Sequence, residues 1–279
     1  MRIFADKTDK QTLTMSNEKK YRLGVALSGG GARGFAHVGA LKAIEEAGLK
    51  PDIIAGVSAG SVVAVLYAAG IAIDDMPHIF DKKGFSDFVN MKMGNGGLMS
   101  LDKFKKIIMQ AINKVGSYKN IEDLPLTTYI GATDIDNGQA VEFHSGPIGE
   151  RMIASCSIPI IFKPVKIEGV NYVDGGVLRN HPAWIIRDKC EHLIGINVSP
   201  MRLPGKTSSM IDVALRTYNL MAKSNQATDM AMCDLSVQTP ELSSYKAFDL
   251  KNIKAVITSG YIHTRRALKD AGWWKSNPF

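Results

Sequence analysis

The amino-acid sequence predicts an α/β domain with a parallel sheet and crossover helices. Two observations predict it. Within the first 70 residues a short apolar run, a glycine-rich turn and a helical stretch follow one another twice. Strand–turn–helix repeated in this way is the pattern of parallel strands joined by helices. The length of 279 residues suits one large domain, and 45% hydrophobic with 22% charged residues is ordinary for a chain with a real core.

The elements follow in order. Residues 22–28 read as a buried strand opening into a glycine-rich turn. Residues 35–47 carry apolar side chains at helical spacing and stop at Gly48, a suitable C-cap. Residues 52–55 form a second strand. Beyond a turn at 56–60, Val62, Val63, Val65 and Leu66 lie in a very apolar helix. The uncharged run 53–73 has the length of a membrane span, but its glycines and serines split it into strand end, turn and short buried helix. Residues 74–100 are irregular, and the stretch from Phe85 to Met99 reads as an exposed, Met-rich insert. Asp102 then starts an amphipathic helix with Phe104, Ile107, Ile108 and Ile112 on one side. Strands are expected at 126–132 and 140–143 around the Asp136-Asn137-Gly138 turn. A short helix at 151–157 stops before Pro159. Two short strands flank Gly169, and a further apolar strand spans 192–198. The rest reads as helical, at 210–221 and 261–269. The organisation is a flexible arm over 1–20, a main domain over 21–200 and a helical part over 201–279 packed on the same domain.

Charge and cysteine usage narrow the class. There are 34 basic and 27 acidic residues, a net charge of +7, which suits either plain solubility or an anionic partner. The three cysteines, Cys156, Cys190 and Cys233, are odd in number and widely spaced, so neither a disulfide framework nor a CxxC metal site is expected. Residues 1–20 are polar and Lys-rich and carry no secretory signal. A cytoplasmic setting is the simplest reading.

Three motifs can carry chemistry. The first is the loop from Ser28 to Gly34, with Gly29, Gly30, Gly31, Arg33 and Gly34 between a strand and a helix. Its unshielded N–H groups make an anion site, for a ligand phosphate or for the oxyanion of a tetrahedral intermediate. Read literally, Gly29, Gly31 and Gly34 also match a dinucleotide fingerprint, with Asp52 near the spacing of a ribose-binding acid. The second is Gly56-Val57-Ser58-Ala59-Gly60, which has the form of a nucleophile elbow: a serine on a sharp strand-to-helix turn, with Gly56 and Gly60 allowing close packing. The third is Asp174-Gly175-Gly176 at a strand end, where an aspartate can face a cleft. A serine nucleophile needs a base. Of the six histidines only His181, seven residues past Asp174, is a candidate.

Together, in this order, the three motifs resemble the patatin-like phospholipases from about Leu23 to about Pro182. The connecting text also resembles that family: Ala154 to Pro159 ahead of Phe162 to Pro164, and Asn180-His181-Pro182 after the aspartate. The resemblance implies a three-layer α/β/α fold with a mostly parallel central sheet. It implies a Ser–Asp dyad of Ser58 and Asp174 without histidine, and an oxyanion loop of Gly29 to Gly34. It further implies hydrolysis of lipid acyl esters, with a phospholipid or lysophospholipid as substrate. No metal or organic cofactor and no nucleic acid are expected. Peripheral contact with an anionic membrane is expected from the insert, from Lys103, Lys105, Lys106 and Lys114 interleaved with the apolar stripe of the helix after Asp102, and from the Trp273-Trp274-Lys275 tail. Two rivals stand beside this reading: a dinucleotide-binding protein, and a non-catalytic lipid-binding or scaffold protein.

Overall fold

The computed structural model describes residues 19–90, 99–200, 209–246 and 248–275. Most of the expected N-terminal arm (1–18) and the centre of the Met-rich insert (91–98) lie outside the described residues. Eight strands form one sheet. In chain order they are β1 (Tyr21–Leu27), β2 (Ile53–Val57), β3 (Thr127–Asp134), β4 (Gln139–Phe143), β5 (Val165–Ile167), β6 (Val170–Asp174), β7 (Cys190–Asn197) and β8 (Leu235–Gln238). They pair in the order β5-β6-β3-β2-β1-β7-β8, with β4 also on β3. From β3 through β8 the pairing is parallel, and β4, β5 and β6 add antiparallel pairs. The sheet is therefore mixed and mostly parallel.

β1 and β2 are interior strands, and their sequences say why. All of β2 and all of β1 from Leu23 are buried, which demands apolar residues on both faces. Alternate residues enter two different cores. Val25, Ile54 and Ile194 join one that includes most of the helices. Ala26, Ile53, Ala55 and Leu193 join a smaller one with Ile185 and Ile186. Two cores on two faces define three layers, helix over sheet over helix.

The helices are α1 (Phe35–Glu46), α2 (Ala59–Ala68), α3 (Phe85–Phe88), α4 (Asp102–Ile112), α5 (Ile148–Cys156), α6 (Ala183–Ile186), α7 (Met210–Ser224), α8 (Gln226–Met230) and α9 (Ile253–Asp270). The smaller core is covered by α6. On the other face α2 is buried along almost its whole length, which explains why it is apolar all round. Among the described residues no helix is long and apolar enough to cross a membrane.

Beyond residue 200 the chain differs from the helical reading in two ways. β8 extends the parallel sheet beside β7. It is a four-residue edge strand in which only Val237 is fully buried, too short to show a pattern. α9 starts eight residues before the expected 261. Its weak helix former, Gly260, is where α1 crosses: a Cβ there would lie 1.9 Å from the Ala36 carbonyl oxygen, and one at Gly39 would lie 2.0 Å from that of Ile257. Packing against α1 outweighs the propensity cost of about 1 kcal/mol.

Candidate active site

Strand pairing brings Ser58 and Asp174 together. β4 occupies one edge of β3 over residues 130–134. On the opposite edge β2 runs parallel to β3 and ends with Val57 opposite Gly131. On that same edge β6 runs antiparallel and ends with Asp174 opposite Ala132. A strand has only two edges, so β2 and β6 approach head to head at adjacent positions of β3. Ser58 follows Val57 directly, and Asp174 is the last residue of β6.

Ser58 sits at φ 52°, ψ −124° between β2 and α2. A positive φ is uncommon in a residue with a side chain and persists only where the surroundings enforce it. Here they do. The Ser58 N–H donates to Ser155 Oγ at 2.8 Å, and Ser155 Oγ donates to the Gly131 carbonyl at 2.6 Å. The Ser58 carbonyl accepts from Ser61 Oγ at 2.7 Å. The flanking glycines are required by contact: a Cβ on Gly56 would lie 2.4 Å from the Gly60 carbonyl, and one on Gly60 would lie 2.1 Å from the Leu27 carbonyl oxygen.

Asp174 is completely buried. Its Oδ1 accepts from the Gly176 N–H at 2.8 Å and from the Tyr218 hydroxyl at 3.0 Å. Among the described residues its Oδ2 has no hydrogen-bond partner. Burial raises its pKa from 3.8 to about 6, against the lowering influence of the neighbouring Ser58 hydroxyl, the Gly176 N–H and Tyr218. Ser58 is thus near enough to favour the carboxylate without a formed bond to Oδ2, a common state of proton-transfer pairs before substrate binds.

The glycine loop opens from β1 into a short 3-10 turn over Gly31–Gly34 that leads into α1. Its residues do different things. The Gly29 N–H is engaged, donating to the Asn180 carbonyl at 3.1 Å. Among the described residues, the N–H groups of Gly30 and Gly31 have no backbone acceptor. Gly34 is buried at the entry to α1. Arg33 is also buried and turns back on its own loop, with Nε donating to the Gly30 carbonyl at 3.1 Å and Nη1 to the Pro200 carbonyl at 3.4 Å. It braces the loop.

Other sequence candidates are not brought to this pair. His181 is buried with no partner on either ring nitrogen, and so is bonded to neither Ser58 nor Asp174. Asp52 accepts from the Leu23 N–H at 2.9 Å at the start of β1, whereas the glycine loop follows the far end of that strand. Five residues of strand, about 16 Å, separate it from the loop, so the ribose-binding role fails. Among the described residues, no group of three or more His, Cys, Asp or Glu is arranged to hold a metal.

An apolar cavity of about 150 Å³ adjoins Ser58 and runs between Val62, Leu66, Phe80, Phe104 and Phe162. Phe104 belongs to the amphipathic helix expected at a membrane surface. Instead Ile108 and Ile112 of α4 are fully buried, and Phe104 and Ile107 pack on the core. The tail tryptophans pack on it too, with Trp273 against His192 at 5.9 Å and Arg265 over Trp274 at 5.1 Å. The largest apolar exposure on one helix is on α7, at Met210, Val213 and Leu220.

Several site residues escape a sequence reading. Ser155 lies in text that the resemblance marks, but its clamp on Ser58 spans 97 positions. Tyr218 reaches Asp174 across 44. The loop after Asp174 is tied down by Asn225 Oδ1, which accepts the Asn180 N–H at 2.9 Å, and by Arg179 Nε donating to Asp229 at 3.0 Å. No local pattern announces any of them.

An oriented serine on a strained turn, a buried carboxylate with one free oxygen, and a glycine loop beside an apolar cavity are the parts that an acyl-transfer site requires. The comparison with known families agrees. The family described as "Patatin-like phospholipase" matches residues 25–186, and the chain belongs to that family. An uncharacterised NTE family protein of Mycobacterium tuberculosis is 32% identical over 210 residues, covering 74% of this chain and 57% of that protein. Lysophospholipase nte1 of Aspergillus fumigatus is 34% identical over 166 residues, covering 57% of this chain and 10% of that protein. The chain thus spans from about half to a tenth of these relatives' lengths. The solved structure of VipD from Legionella pneumophila aligns with 90% of this chain and 67% of its own, at 14% identity and a TM-score of 0.49.

Proposed function

We propose that this protein hydrolyses acyl esters of lipids, of the phospholipid or lysophospholipid type, with Ser58 as nucleophile and Asp174 as base. The observation that carries the reading is the meeting of Ser58, which lines an apolar cavity, with a buried, half-engaged carboxylate. Membership of a phospholipase family supports the substrate class.

Ser58 Oγ attacks the ester carbonyl carbon while its proton passes to Asp174 Oδ2. An ordinary aspartate, near 3.9, is a poor base; burial makes this one stronger. The oxyanion faces the N–H groups of Gly30 and Gly31, each donor worth on the order of 3 kcal/mol in such sites. Collapse expels the alcohol, which takes the proton from Asp174. Water then attacks the acyl-Ser58 carbonyl, giving its proton to the same carboxylate; collapse releases the fatty acid, and Ser58 Oγ, as it leaves, takes that proton back from Asp174. The acyl chain occupies the cavity beside Val62 and Leu66. Membrane contact is peripheral. It is read by co-sedimentation with anionic liposomes at low and high salt, and absence of binding at every composition would reject it.

The test of the activity is labelling by a fluorophosphonate probe. Labelling of the wild type and its absence in a folded Ser58→Ala variant is expected. Equal labelling of both would end the proposal.

A further inference from the structure

We infer that Tyr218 is the positioning residue that aims the free oxygen of Asp174 at Ser58, an inference that rests on the proposed Ser58–Asp174 pair.

A carboxylate held by one donor can still swing about that contact. The Gly176 N–H, two residues from Asp174, is such a single point. The Tyr218 hydroxyl supplies a second, from α7, a different element altogether. Both donors engage the same oxygen, Oδ1, and leave Oδ2 as the one unbonded acceptor of a fully buried group. Two donors on one oxygen fix which oxygen is tied and which is offered. Glycine at 176 is what leaves the hydroxyl its place: a Cβ there would lie 2.3 Å from the Tyr218 hydroxyl oxygen. Tyr218 is itself buried, and burial together with the Asp174 charge raises its phenol pKa well above the usual value. It therefore remains a donor across the working pH range and does not compete as an acid. α7 is capped at its start by Ser209, whose Oγ accepts from the Asp212 N–H at 3.1 Å, so the helix that presents Tyr218 has a defined register.

A residue that only filled space would be replaced by phenylalanine without consequence. A positioning donor would not. Tyr218→Phe keeps the ring and removes the one bond. The expected result is a fall in kcat of ten- to a hundredfold with KM nearly unchanged, since a misaimed base costs the chemical step and not binding. The carboxylate also loses a donor that favours its charged form. Its pKa therefore rises, and the acid limb of kcat/KM moves up by about one pH unit. Where turnover is too slow to follow, the limb is read from the rate of fluorophosphonate labelling, with thermal unfolding run alongside. A folded Tyr218→Phe enzyme with wild-type kcat and an unmoved acid limb overturns the inference. So does a loss of kcat with the limb unmoved, because that marks packing alone. Failure of the underlying pair reads differently: Ser58→Ala or Asp174→Asn would then retain activity, whatever Tyr218→Phe does.

Discussion

The two halves of the site are built by opposite means. On the Ser58 side most of the support is local: the elbow's glycines flank the serine by two positions, Ser61 holds its carbonyl, and only the Ser155 clamp on its N–H comes from far along the chain. On the Asp174 side nearly everything is distant. The carboxylate is oriented from α7, and its loop is anchored by Asn225 and Asp229. The proposed nucleophile is thus a property of a short motif, whereas the proposed base is a property of the assembled fold. Damage to the first should be chemical and complete. Damage to the second should be graded and dependent on pH.

The largest effect expected is on turnover. Ser58→Ala and Asp174→Asn should each lower kcat on a soluble ester by about 10⁴-fold or more, and the double variant should be no worse than either, because the two act as one unit. Additive losses would separate the halves and break the comparison. His181→Gln should leave the chemical step within a fewfold of the wild type.

The next effect is on stability and has the opposite sign. Asp174 has a folded pKa of about 6 against 3.8, so its folded form is favoured fully below pH 4 and loses that favour as pH rises through 6. The difference corresponds to about 3 kcal/mol. Asp174→Asn removes the buried charge and should therefore be more stable than the wild type by up to about 3 kcal/mol at pH 8, with no gain at pH 4. Chemical denaturation at both values checks this. A less stable variant at pH 8 would mean that the carboxylate stabilises the fold.

Acid should act on the loop side in the other direction. His37 donates through Nε2 to the Ser28 carbonyl beneath the glycine loop at 2.8 Å. Burial lowers its pKa to about 4, and burial with His37 nearby lowers that of His181 to about 3. The unfolded imidazoles bind protons below about 6.5 and the folded ones do not, so stability is lost as pH falls from 6.5. From pH 7 to 5 each contributes a loss of about 2 kcal/mol, while Asp174 returns about 1 kcal/mol. The histidines win, and unfolding midpoints should fall over this range. A flat profile would show that both imidazoles are solvated.

The smallest effect is on chain length. Each added methylene that enters the cavity should raise kcat/KM about fourfold, from about 0.8 kcal/mol per buried CH₂, until the cavity beside Phe80 and Phe104 is full. Val62→Phe should move that break to shorter chains without changing turnover of an acetyl ester. A series with no dependence on length would place the acyl chain elsewhere.

The same division explains what could be read from the sequence. β1, β2 and α2 are legible as apolar runs and α1 by its helical spacing, each bordered by a glycine-bearing turn, and the serine elbow lies between β2 and α2. The Asp174-Gly175-Gly176 motif was legible as a strand end. Its approach to Ser58 was not, because it depends on β2 and β6 sharing an edge of β3. Tyr218 and Ser155 were hidden for the same reason, and so was β8, whose pairing with β7 outweighs its weak local pattern. The amphipathic stripe of α4 is legible as a helix face, but amphipathicity alone does not tell whether that face meets a core or a lipid surface. The structure turns it inward, where Phe104 lines the cavity.

The claim at the centre of this account is that the buried carboxylate of Asp174 activates Ser58. The most direct measurement is the rate of fluorophosphonate labelling at Ser58 as a function of pH, in the wild type and in Asp174→Asn. The expected wild-type rate rises with pH through an apparent pKa of about 6, and the variant loses the limb and labels at least a hundredfold more slowly at pH 8. A variant that labels at the wild-type rate, or that keeps the same limb, would contradict the claim and assign the base to another residue.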